Sequence, residues 1–226
     1  MIDKATVLQL LGRRKKAELI EFLSAAFNEM EEKQRRAVFA DLVRESRPAK
    51  VDGGALLKDV QTFHRESLAG NYYAPFMMNS KNYCDIPEET DEWCDRIADL
   101  LQQATQLTGQ GDHALAEKCF SLLFELIEKM ESGEEIVFAH EMGSWMIPVN
   151  DNEWIRAYLT SLAATCDPER FAARATPLIR RDSYQSFSAS AYKSALKAAN
   201  KDQKTWLNAE IKRLNVRTSP DSPRRR

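Results

Sequence analysis

Apolar residues recur at three- and four-residue steps along most of this chain, and that spacing restricts it to helices. Between Lys15 and Met30 the stripe is Leu19, Ile20, Leu23, Phe27 and Met30, one face of an amphipathic helix. Glu31 to Glu45 repeats the pattern with Val38, Phe39, Leu42 and Val43, and Arg47-Pro48 ends it, since the residue before proline is pushed out of the helical region. After Gly53-Gly54 a third stripe runs through Leu56, Leu57, Val60, Phe63 and Leu68. No segment shows two-residue alternation framed by turn signals, the mark of a strand. Eight glycines and eight prolines in 226 residues are too few for a turn-rich β fold.

The clearest pair of helices lies in the middle. Glu88 to Thr108 carries Trp93, Ile97, Leu100, Leu101 and Ala104; His113 to Met130 carries Leu115, Ala116, Cys119, Phe120, Leu122, Leu123, Leu126 and Ile127. Gly109 and Gly111 break the chain between them, and Asp112 is placed to cap the second. So short a turn predicts an antiparallel hairpin. Ser132-Gly133 closes it. A shorter helix is expected over Glu134–Gly143, another from Glu153 to Cys166, and one that Asp167-Pro168 starts and Pro177 limits. Ser188–Asn200 and Asp202–Leu214 read as a final pair. The reading is an all-α chain of nine or ten helices in stacked antiparallel hairpins. It divides into a helical part over 1–69, an aromatic and Met-rich loop over 70–87, a main array over 88–214, and a polar, Arg-rich tail over 215–226.

Charge is segregated along this chain. Asp85 to Glu153 holds seventeen acidic residues against Arg96, Lys118 and Lys129, whereas Trp154 to Arg226 holds fifteen basic against six acidic, inside a chain whose net charge is −2. Met1 to Cys84 holds fourteen basic against eleven acidic residues, and an acidic middle between two basic ends suggests a surface that meets partners, or ends that fold back on the middle.

Within Leu100 to Glu125, Gly111, Asp112, Ala116 and Phe120 stand as in the second half of a tetratricopeptide repeat, with Ala104 as the small residue of the first helix. The segment resembles one such repeat over about 25 residues. It departs from the pattern at His113, where an aromatic is usual, and lacks the Trp-Leu-Gly of the first helix. The resemblance implies a right-handed, solenoid-like αα superhelix with a concave groove for a peptide.

Signatures of catalysis fail one by one. His140-Glu141 begins like the zinc-protease HExxH, but Gly143 and Ser144 stand where the second histidine is needed. Three histidines in all, and cysteines at 84, 94, 119 and 166, give no metal-ligand spacing. The glycines form neither a dinucleotide fingerprint nor a Walker loop. No metal and no cofactor are expected, and no catalytic residue is assigned. No apolar run reaches the ~18 residues of a membrane span, the N-terminus is the reverse of a signal peptide, and the cysteine usage fits free thiols in the cytoplasm.

The function expected is therefore a non-catalytic helical-repeat adaptor that binds another protein, one with a basic surface, through the acidic middle, Asp85 to Glu153. Its contact residues would be Tyr72, Tyr73, Phe76, Tyr83, His140, Glu141 and Trp145, because aromatic side chains dominate interface energetics. The alternative is a nucleic-acid-associated accessory protein. It would use the basic face formed by Arg180, Arg181, Tyr184, Lys193, Lys197, Lys201 and Lys204, whose spacing suits phosphate contacts. An enzyme with an unfamiliar site around His140, Glu141 and Tyr72 is the third reading.

Overall fold

A computed structural model describes residues 3–30, 34–35, 38–39, 50–74, 87–138, 143–181, 185–216 and 218. Its described regular structure is all-helical, and the chain forms two compact units, Met1–Ala49 and Lys50–Arg226. Helix 53–68 thus belongs with the larger unit, so the boundary lies near residue 50 rather than at the 70–87 loop.

The first unit contains α1 (Lys4–Leu11) and α2 (Lys16–Glu29). Asp3 starts α1 by accepting from the backbone N–H of Thr6 at 2.9 Å. Glu18 starts α2 by accepting from the backbone N–H of Lys15 at 2.9 Å. The helix expected over 31–45 lies mostly outside the described residues; within it Arg35 donates from Nε to the carbonyl of Phe27 at 2.8 Å, and the Phe39 ring sits 5.4 Å from that of Phe27.

The second unit contains α3 (Gly53–Leu68), α4 (Glu88–Gly109), α5 (His113–Glu131), α6 (Asp151–Thr165), α7 (Pro168–Arg180), α8 (Gln185–Ala198) and α9 (Lys201–Arg213). The caps follow local chemistry. Asp52 accepts from the N–H groups of Gly54 and Ala55, and Asp167 from that of Arg170 at 2.9 Å, ahead of Pro168. Each satisfies donors that the first helical turn leaves unpaired. Gly111, at φ +84°, turns the chain between α4 and α5 while the N–H of Asp112 reaches back to the carbonyl of Leu107 at 3.0 Å. A side chain there would strain the left-handed backbone.

Packing follows the predicted stripes. Trp93, Ile97, Leu100, Leu101, Ala104 and Leu107 of α4 are buried, as are Ala116, Cys119, Phe120, Leu123, Leu126 and Ile127 of α5. Phe120 stacks on Tyr158 at 5.1 Å and 24°, and on Trp154 at 6.4 Å. Aromatic pairs of this kind add ~0.5–1.5 kcal/mol each beyond their buried area. Consecutive helices from α3 to α8 touch, and so do alternate ones: α3 meets α5, α4 meets α6, α6 meets α8, and α7 meets α9 most extensively of all, so α9 packs on α7 rather than on α8, with which the sequence paired it.

One expected helix is corrected. Glu134 to Phe138 is a turn rather than helix, with Val137 paired to Tyr72 in a single β-bridge. Gly133, at φ +81°, ends α5, and the backbone N–H of Glu134 closes back on the carbonyl of Lys129 at 3.0 Å. Ile136 and Val137 are then buried, so tertiary contact takes the segment away from the helix that its composition favours.

Candidate partner-binding surface

The outward face of α4 concentrates the acidic charge. Glu88, Glu89, Asp91, Glu92, Asp95 and Asp99 are all exposed. They are exposed because Trp93, Ile97, Leu100, Leu101 and Ala104 turn the opposite face into the core, and a helix alternates the two at 3.6 residues per turn. The first three also sit in the opening turn, where negative charge is favoured by the helix dipole. Among the described residues, none of these six forms an ion pair. The one cation on this face, Arg96, lies 3.7 Å from Asp59 of α3.

Two shallow grooves border this face. One, of about 560 Å³, is lined by Glu92, Asp95, Asp99, Gln102 and Pro148 among others; the second, of about 280 Å³, by Gln102, Thr105, Pro148, Asn150 and Glu153 among others. Gln102 and Pro148 are common to both, so the acidic edge of α4 continues to the start of α6.

Trp145 stands on the 3-10 turn Gly143–Met146 that leads to Pro148, and it is 78% exposed. The turn itself is anchored. Ile147 is buried, Met146 packs against the core, and the hydroxyl of Ser144 donates to Glu131. Trp145 is thus a large apolar side chain held in water by a fixed backbone.

Tyr72 and Tyr73 are placed otherwise. Tyr72 is half-buried, with its ring edge-on to Phe63 at 5.5 Å, and burial, followed by the charge of Glu66, raises its phenol pKa. Tyr73 is half-buried too, and its hydroxyl reaches Glu135 at 3.5 Å. Both fasten the loop after α3 to the turn at 134–137. Phe76, Tyr83, His140, Glu141 and Tyr184 lie outside the described residues.

The basic residues do not form one stripe. Lys193 and Lys197 are on α8, and Lys201 and Lys204 on α9; all four are exposed. Asn200 separates the helices by capping α9. It accepts from the N–H of Gln203 while Gln203 accepts from the N–H of Asn200, both at 2.9 Å. Arg180 is exposed, but the Arg181 side chain is only 7% exposed. Its guanidinium lies 3.4 Å from Glu131 and 3.6 Å from Asp151, and 5.4 Å from the centre of the Trp154 ring. It is therefore withdrawn from any phosphate-binding face.

Sequence reasoning missed the Arg174 cluster. Arg174 of α7 pairs with Glu117 and donates to Ser121, both on α5, and to the hydroxyl of Tyr158 on α6 at 2.9 Å. A lone arginine on a helix gives no local sign of partners 16 to 57 positions away. Burial raises the Tyr158 phenol pKa, so the hydroxyl keeps its proton and receives a hydrogen bond from the guanidinium.

Cys94, Cys119 and Cys166 are free thiols. Burial pushes the first two up to about 12, which leaves them protonated and unreactive near neutrality. Among the described residues no group of three His, Cys, Asp or Glu side chains is placed to hold a metal ion, and no helix is long and apolar enough to cross a membrane. The fold and surface define an all-helical protein with a one-sided acidic face. No protein-family model, curated protein or solved structure matches the chain.

Proposed function

We propose that this protein is a non-catalytic adaptor, a stack of helical hairpins whose α4 face docks a basic segment of another protein. The observation that carries this reading is the row of exposed, unpaired carboxylates on α4, flanked by Arg96 as its single cation. Six like charges on one face repel one another and are relieved by a cationic partner. Trp145, exposed on its anchored turn, supplies the apolar contact that charge alone lacks. Contacts between alternate helices, α3 with α5, α4 with α6, α6 with α8 and α7 with α9, support stacking of the tetratricopeptide kind. The free thiols agree with the reducing cytoplasm in which we place the protein.

Affinity capture from native lysate with nuclease present tests this reading, comparing the wild-type chain with Glu92→Lys/Asp95→Lys/Asp99→Lys and with Trp145→Ala. Partners retained by the wild type and lost by both variants, with release between ~50 and ~200 mM salt, are expected. An unchanged set of partners on the charge-reversed chain refutes the docking face. The nucleic-acid reading keeps one observation in its favour, the exposure of Lys193, Lys197, Lys201 and Lys204. Capture that disappears with nuclease would favour it.

A further inference from the structure

We infer that Glu131 is a positioning residue for Trp145: its carboxylate, itself held by Arg181, fixes the 3-10 turn that presents the indole to a partner. The inference rests on the adaptor reading for what Trp145 does, though not for how it is held. A four-residue 3-10 turn closes few hydrogen bonds of its own; here the N–H of Ile147 reaches the carbonyl of Ser144 at 3.2 Å. Its far end is fastened by apolar contact, with Ile147 buried and Met146 against the core. Its near end is fastened by a polar contact, the hydroxyl of Ser144 donating to Glu131. Trp145 stands between the two fastenings, and with most of its own surface in water they set its direction.

Glu131 needs a restraint of its own. It is the last residue of α5, where helices fray, a third of its side-chain surface is in water, and Glu128, one turn earlier, bears like charge. Arg181 supplies the restraint. Its Nε and Nη2 both donate at 3.4 Å to the carboxylate oxygen that receives the Ser144 hydroxyl. The guanidinium in turn lies over the buried Trp154 ring and 3.6 Å from Asp151, which accepts from the Trp154 indole N–H at 2.8 Å. A chain of contacts thus runs from a core tryptophan through Arg181 and Glu131 to Ser144, and so to the exposed Trp145. Stability alone does not call for a guanidinium at this place: its Nη1 makes no hydrogen bond, and an apolar side chain of similar length would fill the space as well. Restraint of Glu131 does call for it. A packed group that holds an exposed one lowers the ordering that binding has to supply.

Fluorine NMR of the full chain carrying 5-fluorotryptophan measures the effect, with the Trp145 signal assigned by Trp145→Phe. Ser144→Ala and Glu131→Ala should each narrow that signal and shift it toward its unfolded position, while the Trp93 and Trp206 signals show that the fold is kept. The double variant should do no more than either, because both remove the same contact. Ser144→Thr keeps the hydroxyl and should restore the wild-type signal; Arg181→Met keeps the stem and should reproduce part of the change. Exchange of the Ile147 amide should quicken roughly 5-fold in Ser144→Ala, as one hydrogen bond is lost. A Trp145 signal unmoved by Ser144→Ala, a double variant that exceeds either single one, or an Arg181→Met signal identical to the wild type overturns the inference. Capture separates it from the adaptor reading. Partners that Trp145→Ala loses should bind Ser144→Ala about 3–10-fold more weakly and Ser144→Thr as the wild type; a Ser144→Ala chain that binds them fully overturns the positioning role. If Trp145→Ala loses no partner, the reading of Trp145 as a contact fails, and the fluorine signal alone decides how the turn is held.

Discussion

Replacing Arg181 separates a structural arginine from a surface one. Its guanidinium is almost fully enclosed, lying over Trp154 at 5.4 Å and beside Glu131 at 3.4 Å and Asp151 at 3.6 Å. Arg181→Ala removes three things. The contact with the indole, largely out of water, is worth about 1–2 kcal/mol. The pairs with Glu131 and Asp151 contribute less than about 1 kcal/mol together, because both carboxylates keep a third or more of their side-chain surface in water. The aliphatic stem covers the edge of Trp154, and its loss leaves a gap. Against these stands the relief of a buried charge, whose Nη1 makes no hydrogen bond. The net is a destabilisation of about 2–3 kcal/mol, or a fall in Tm of about 5–10 °C for a chain of this size. Arg181→Met keeps the stem, lets the two carboxylates rehydrate, and should lose about 1 kcal/mol or less. Urea denaturation followed by tryptophan fluorescence and by circular dichroism reads both. An Arg181→Ala midpoint within about 0.5 kcal/mol of the wild type would refute the reasoning. It would also return Arg181 to the surface and reopen the basic-face reading.

Other outcomes follow from single contacts. Gln203, buried at the start of α9, donates to the carbonyls of Ala163 and Cys166 at 3.0 Å while closing the cap with Asn200; Gln203→Ala should therefore lower stability by about 2 kcal/mol in chemical denaturation, whereas a surface cap alone would lose less. Ser67→Ala leaves the buried indole N–H of Trp93, now 2.9 Å from the Ser67 hydroxyl, without an acceptor, and should destabilise by about 1–3 kcal/mol in the same assay. Burial, and then the charge of Glu131, raises the Glu128 carboxyl pKa. The folded state thus holds that proton more tightly than the unfolded one, and the stabilisation is present below the unfolded pKa and lost as pH rises through the folded one. Glu128→Gln should raise Tm near neutrality, with a gain that vanishes as pH falls below the carboxylate range; a gain independent of pH would show that charge is not the cause.

What the sequence determined by itself is local. Helix positions follow from the spacing of apolar residues, and their ends from groups that act within four residues: Asp167 with Pro168, Asn200 with Gln203, and Gly111 between α4 and α5. The acidic side of α4 was legible too, since a helix that buries Trp93, Ile97, Leu100 and Leu101 must turn Glu92, Asp95 and Asp99 outward. Contacts across the chain were not legible. Glu134 to Phe138 has helix-forming residues, yet Val137 pairs with Tyr72, 65 positions away. Arg181 looked like one more cation of a basic stripe, until Glu131, Asp151 and Trp154 enclosed it. Nothing local shows whether Trp145 is covered; a turn pinned by Ile147 and Ser144 holds it in water. Periodicity reports which side of an element is apolar. Only the tertiary structure decides which other element covers that side, because that choice depends on the shapes and charges of all the faces competing for the same burial.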